Sequence, residues 1–414
     1  MNFIETHELL ISTLSPVHVG CGEDYEPTNY VMEGETLQAF DPATLLTQLG
    51  QRGRDELARA LDAPNPLLAA QRFFYRHKPQ ALSVATISAP VAPAAARHYA
   101  SRIGQVANQQ AEGGSVINKL EIARTAFNPA DGMPILPGSS LKGAIRTAVL
   151  NDLRGRRKAS FPLNDRDAGN SKAASTAASN MERDLMEGSF QTDPLRLVKL
   201  ADGMFQPGSY KARNPQGEEI QRERQVRTIL FQANHKKRPQ ANHKKRPNQF
   251  ASRAKIEALV ECVPHSQPSA FRTSLVIERK AGRGEGTPNQ QLTFAHLAAA
   301  CNTFYRERFE EEIAILETNN YVSEIWLKNA RTRLAESGIW GKAIAEGRGF
   351  LLRVGRHSGA ESVTVDAPRK IKILGAQGQP PTWQKAATTV WLAATEPGVT
   401  KGMWPFGWVF VRTR

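Results

Sequence analysis

The sequence predicts an α+β fold with antiparallel sheets, and three observations carry that reading. β-branched apolar runs bounded by glycine and acidic turns stand at both ends of the chain. Helical periodicity is concentrated in a few long segments, and strands and helices do not alternate as βαβ units. At 414 residues the chain exceeds one ordinary core of roughly 100–200 residues, so two domains or one domain with large insertions are expected. The expected division is an N-terminal core over 1–154, a basic, partly flexible insertion over 155–260, and a helix-containing C-terminal region over 261–414. Hydrophobic residues at 40% and charged residues at 23% are enough for a buried core and exclude a disordered chain.

Each element follows from a local signal. "HELLISTLSPVHV" (7–19) reads as a strand and "GCGEDYEP" as a glycine and acidic turn, followed by a hairpin in "NYVMEGETLQAF" that turns at "EGE". Asp41 is an N-cap and Pro42 a first helical residue for "DPATLLTQL", and helix and loop continue to about residue 80. Strand character returns in "ALSVATIS" and in "VINKLEIART". Leu141, Ile145, Val149 and Leu153 then give one inward face to a helix from about Ser140 to Leu153. "AGNSKAASTAASN" (168–180) reads as a small-residue linker, "SAFRTSLVIERK" as a strand and "AGRGEGTPN" (281–289) as a glycine hinge. Two amphipathic helices follow in 292–316 and 321–337. After them come a strand in "GFLLRV", a second resuming at Val363, and closing strands in "TTVWLAA" and "MWPFGWVFVRTR".

Charge is the first functional signal. Fifty-four Lys plus Arg against 40 Asp plus Glu leave a net charge of +14, which favours a polyanionic partner, nucleic acid ahead of an acidic membrane surface. The plain alternative is solubility alone. Between Lys211 and Lys255 thirteen Lys or Arg stand against three Glu, and the octapeptide "QANHKKRP" occurs twice in tandem, at 232–239 and 240–247. A duplicated octapeptide would displace a packed element, so both copies are expected in an exposed loop. The start "MNFIETHELLISTL" shows no leader pattern and no apolar run approaches ~18 residues, so a cytoplasmic protein with no membrane contact is expected. Cys21, Cys262 and Cys301 lack metal spacing and read as reduced thiols, two of them as small core residues.

Three constellations could carry chemistry. In "PILPGSSLKGAIRTAVL" (134–150), Gly138, Ser139 and Ser140 open a helix, and Lys142 and Arg146 share a face four residues apart. The stretch is not a Walker A loop, because Ala144 and Ile145 follow Gly143 where Lys and Ser or Thr are required. An ordinary capped helix with exposed lysine is the competing reading. In "LLRVGRHSGAESVTV" (351–365), a turn flanked by Gly355 and Gly359 holds Arg356, His357 and Ser358 just after Arg353, suited to close approach to a nucleic-acid backbone or simply a hairpin with a polar tip. In "TLSPVHVGCGED" (13–24), His18 could act as a base, and Glu23 with Asp24 could assist a metal or activate a 2′-hydroxyl. A structural histidine and an acidic turn answer the same residues. No GxSxG, HExxH or two-metal carboxylate cluster is present in the sequence.

Taken in this order, "SPVHVGCGEDYEP", "LPGSSLKGAIRTA" and "GRHSGAESVT" are similar to the recurring motifs of the RAMP superfamily of CRISPR effector proteins. The closing "TTVWLAA" and "WPFGWVFV" resemble those of a subunit of the type III-A (Csm) effector within that family. The resemblance implies an RRM-like, ferredoxin-like core with large insertions. It also implies a non-catalytic, RNA-binding subunit that caps the 3′ end of the guide RNA (crRNA), alongside target RNA and backbone RAMP subunits, in antiviral defence. Carried over by residue, Gly138, Ser139, Ser140, Lys142 and Arg146 would meet RNA phosphates at the helix start, with His18, Arg353, Arg356, His357 and Ser358 close by. No cofactor or metal is implied. Two other readings stay open: an RNA endonuclease using His18 or Asp24, and an adaptor whose basic 211–255 segment recruits host nucleases.

Overall fold

The computed structural model describes residues 3–109, 115–117, 119–157, 168–186, 191–213, 218–238, 258–279, 288, 290–366, 369–374 and 379–414. Strand Ile4–Thr13 is central to the larger sheet, and Leu9, Ile11, Ser12 and Thr13 in its second half are buried. It pairs antiparallel with Phe271–Glu278 on one side and with the closing strand Trp408–Thr413 on the other, at Ile11↔Phe271 and Ser12↔Phe410. The strand order is Gly349–Arg353, Trp408–Thr413, Ile4–Thr13, Phe271–Glu278, Gly203–Phe205, Ile135–Leu136, with Val198–Leu200 also on Phe271–Glu278. The two ends of the chain are thus neighbours in one sheet.

A second sheet runs Gly20–Tyr25, Ile122–Thr125, Leu259–Cys262, Thr228–Lys236, Thr389–Ala394, Trp404–Pro405, antiparallel except between Leu259–Cys262 and Ile122–Thr125. The mixed α+β class with antiparallel sheets is therefore the one expected. Helix Gly138–Arg157 and helix Phe294–Thr318 pack together, with the Tyr305 hydroxyl donating to the Ala144 carbonyl at 3.0 Å. Phe309 and Trp408 meet edge to face at 5.1 Å, joining the long helix to the closing strand.

Four local expectations are corrected. "GCGEDY" is not a turn but strand Gly20–Tyr25, which a bulge between Gly20 and Asp24 bends along Ile122–Thr125. The small-residue linker is helix Ser171–Leu185, capped by the Asn170 side chain, since its alanines favour helix and Met181 and Leu185 bury against the core. No strand resumes at Val363; a short 3₁₀ turn, Ala360–Ser362, precedes that exposed residue. The first octapeptide copy does not lie in a loop: Gln232–Lys236 continue strand Thr228–Lys236, pairing from Gln232↔Ala393 to Lys236↔Thr389. The buried Ile229, Leu230 and Phe231 that precede it draw those residues into the ladder. The second copy and the glycine hinge apart from Pro288 lie outside the described residues. Cys262 and Cys301 are buried and Cys21 is exposed. No helix among the described residues is long and apolar enough to cross a membrane.

Glu261, 1% exposed, ties the second sheet together. Its carboxylate accepts from Arg227 Nη1 at 2.9 Å, from the Tyr25 hydroxyl at 3.0 Å and from the Thr125 N–H at 3.0 Å. Arg227 Nη2 also donates to the Gly132 carbonyl at 2.6 Å. Burial and the neighbouring Glu261 carboxylate push the Tyr25 phenol up to about 12, so it remains a donor. Removing the cation should strand a buried charge. Arg227→Met is expected to cost roughly 3–5 kcal/mol in urea unfolding, and a loss near zero would show that the network is dispensable. Deleting eight residues of the tandem repeat yields the same chain whichever copy is removed, still with "TILFQANHK". Its melting temperature should match that of the parent, and a large drop would show that the second copy is also built into the fold.

Candidate nucleic-acid interface

The three constellations converge on one open cleft of about 640 Å³. Val19, Gly20 and Gly22 supply one wall, and Ser140, Gly143, Ala144 and Thr147 of helix Gly138–Arg157 the second. Val354, Gly355, Arg356 and Ser358 of the glycine-flanked turn complete it. The helix residues recur at one-turn spacing and so form one polar, small-residue face opposite the buried Leu141, Ile145 and Val149.

The turn is held on the first wall by backbone. The Arg356 N–H donates to the His18 carbonyl at 2.8 Å. Gly355 has φ +83, and a Cβ there would stand 2.3 Å from that same carbonyl oxygen, so only glycine allows the approach. Ser358 Oγ donates to the Val354 and Gly355 carbonyls at 3.0 and 2.7 Å and closes the turn from within. His357, also at positive φ, inserts its ring between Trp391 and Phe406, 5.0 and 5.1 Å away. Arg356 is exposed to the cleft, and no carboxylate pairs with it among the described residues.

Several sequence-predicted contacts face elsewhere. Lys142 Nζ donates to the Val198 carbonyl at 2.8 Å, and burial lowers its pKa. Arg146 is spanned by Glu182 at 2.8 Å and Asp193 at 2.6 Å. Both cations lie on the helix face met by Glu182, Asp193 and Val198, so they bind this protein and not the cleft. The helix N-terminus is also taken. Gly138 N–H donates to Asp202 Oδ1 at 2.7 Å, and a Cβ on Gly138 would collide with the Leu200 carbonyl at 2.3 Å. Ser139 is exposed beside it, off the cleft lining, and Ser140 lines the cleft. Arg353 reaches the cleft wall but its guanidinium is buried, paired with Glu312 at 2.8 Å and donating to the Phe406 carbonyl at 3.0 Å.

His18 is fully buried, its Nδ1 2.8 Å from the Glu261 carbonyl, and burial lowers its pKa. Glu23 is engaged by Arg124 at 3.0 Å, and Asp24 is an exposed strand residue. No group of three His, Cys, Asp or Glu able to hold a metal ion occurs among the described residues. Sequence reasoning missed Gly20, Gly22, Gly143 and Thr147 as wall residues; the period-four spacing of Ser140, Gly143, Ala144 and Thr147 was the available signal.

Burial pushes the His357 imidazole down to about 4, with Arg356 and His18 adding to the shift. The unfolded chain, with an ordinary value near ~6.5, takes up the proton first. Stability from this ring is therefore present above about pH 6.5 and is lost as pH falls toward 4. Histidine-resolved NMR titration should place His357 near 4, while a midpoint near ~6.5 would put the ring outside its aromatic sandwich.

A Streptococcus thermophilus protein described as "CRISPR system Cms protein Csm5" is 28% identical over 156 residues, which is 36% of this chain and 39% of that protein, so the match spans about two fifths of the relative's length. A chain in the cryo-EM structure of a Csm–crRNA–target RNA ternary complex of a type III-A CRISPR-Cas system superposes with a TM-score of 0.58 at 17% identity, covering 99% of this chain and 100% of that one. The crystal structure of T. onnurineus Csm5 gives a TM-score of 0.49 at 17% identity over 97% of this chain and 99% of that chain. The model of the RAMP superfamily matches residues 10–317, well over half of the 414, and with the three motifs gathered in one cleft the chain belongs to the RAMP superfamily.

Proposed function

We propose that this protein is a subunit of a type III-A CRISPR (Csm) ribonucleoprotein in the cytoplasm, a non-catalytic one that binds guide RNA and caps its 3′ end. Family membership, the partial match to a Csm5 protein and the fold shared with a chain of a Csm–crRNA–target RNA complex support the reading. The observation that carries it is the convergence of all three motifs on a cleft whose exposed cation is Arg356.

A guide must be accepted whatever its spacer sequence, so it has to be gripped by its sugar-phosphate backbone. The cleft suits that task. Arg356 offers a guanidinium fork to a phosphate, Ser140 offers a hydroxyl, and Gly20, Gly22 and Gly143 leave the strand room to lie against the main chain. Positions meant to read bases would need several long polar side chains, and this lining is short and small. Backbone RAMP subunits and target RNA are the further partners of this reading, and recruitment of host nucleases is an extension of it. His18 favours a binding role over a basic one, because its Nδ1 is engaged and burial weakens the ring as a base.

Arg356→Ala should weaken guide-RNA binding roughly tenfold, the scale of one hydrogen-bonded charge, and reduce the salt slope by about one. Unchanged binding and an unchanged salt slope in the variant would remove the cleft as the RNA site. Cleavage of labelled RNA that is abolished by His18→Ala or Asp24→Ala would replace this reading with an endonuclease.

A further inference from the structure

His18 is held in one tautomer, and its other ring nitrogen is unpaired among the described residues. Nδ1 lies 2.8 Å from the Glu261 carbonyl, which can only accept, so in the neutral ring the proton sits on Nδ1 and Nε2 is an acceptor. His18 is 0% exposed, and Nε2 has no hydrogen-bond partner among the described residues. Burial lowers the pKa of the ring and keeps it neutral. A buried acceptor left unmade is unfavourable, and the large majority of such atoms in folded proteins are satisfied.

The orphan nitrogen lies under a thin cover. Apart from Gly20 and its two chain neighbours, the one atom of the described residues within 4 Å of the place where a Cβ would stand on Gly20 is His18 Nε2, at 3.6 Å. Gly20 itself lines the cleft. Gly20, paired with Thr125, is the last ladder residue before the bulge in which pairing with Ile122–Thr125 is interrupted until Asp24.

An acceptor in such a place rejects phosphate oxygens, which also only accept, and calls for a hydroxyl or amine donor. On a nucleic-acid backbone the donor is the ribose 2′-hydroxyl, the group that DNA lacks. Resting on the guide-RNA reading of the cleft, we propose that His18 Nε2 accepts a hydrogen bond from a ribose 2′-hydroxyl reached past Gly20, and that this contact lets the cleft tell RNA from DNA. The proton stays on the ribose oxygen, so His18 is a specificity residue and not a base.

The test compares RNA, DNA of the same sequence and 2′-O-methyl RNA on the full chain. The parent should bind RNA about three- to tenfold tighter than either analogue, the range of one neutral hydrogen bond. Gly20→Ala adds a methyl at ordinary contact distance from Nε2, so the melting temperature should hold while the preference for RNA disappears. The ¹⁵N resonance of His18 Nε2 should move on adding RNA and stay still with DNA. Binding that depends on Arg356 yet is equal for all three strands, or a Gly20→Ala variant that keeps its preference, overturns the proposal and leaves the cleft reading standing. A loss of the Arg356 dependence itself would sink the cleft reading instead.

Discussion

One buried carboxylate sets the geometry on which the interface depends. Glu261 has almost no contact with solvent, and a carboxylate in that position is tolerated only if its charge and lone pairs are met. Arg227, Tyr25 and the Thr125 N–H meet them, and these groups come from three separate stretches of sequence. The same residue's carbonyl orients His18, whose own carbonyl then receives Arg356 N–H. A chain of hydrogen bonds thus runs from the interior of the second sheet to the exposed arginine, with Gly355 making the last step possible by its missing side chain. The cleft is consequently preorganised by buried polar bonds as well as by apolar packing.

Much of the fold was legible because its signals are local. The hairpin about Gly34, the Asp41 cap and the apolar face of Leu141, Ile145 and Val149 each follow from residues within one or two turns of chain. The errors came where tertiary pairing overrides local appearance. "GCGEDY" looks like a turn until Ile122–Thr125 lies beside it, and "QANHK" looks like loop until Thr389–Ala394 does. Neither partner is near in sequence.

The candidate site was legible as three motifs but not as a surface. Spacing places Lys142 and Arg146 together on a helix face correctly, yet says nothing of what covers that face. Glu182, Asp193 and Val198 cover it, all from a stretch whose helix looked like a linker. The residues that do reach the cleft were overlooked because glycine, alanine and threonine carry no chemical signature, and their value is the space they leave. The two buried cysteines, by contrast, behave as their widely separated positions suggested.

The tandem repeat has a consequence for how this protein can change. Its first copy is anchored at Phe231↔Ala394 and runs out at Lys236↔Thr389, where the ladder to Thr389–Ala394 ends. The neighbouring strand of that sheet begins at Leu259. Because the unit is identical in both copies, adding or removing one leaves the same "TILFQANHK" to pair each time. The sequence can therefore grow or shrink in steps of eight residues carrying three Lys or Arg each, a built-in source of variation that leaves the paired residues unchanged.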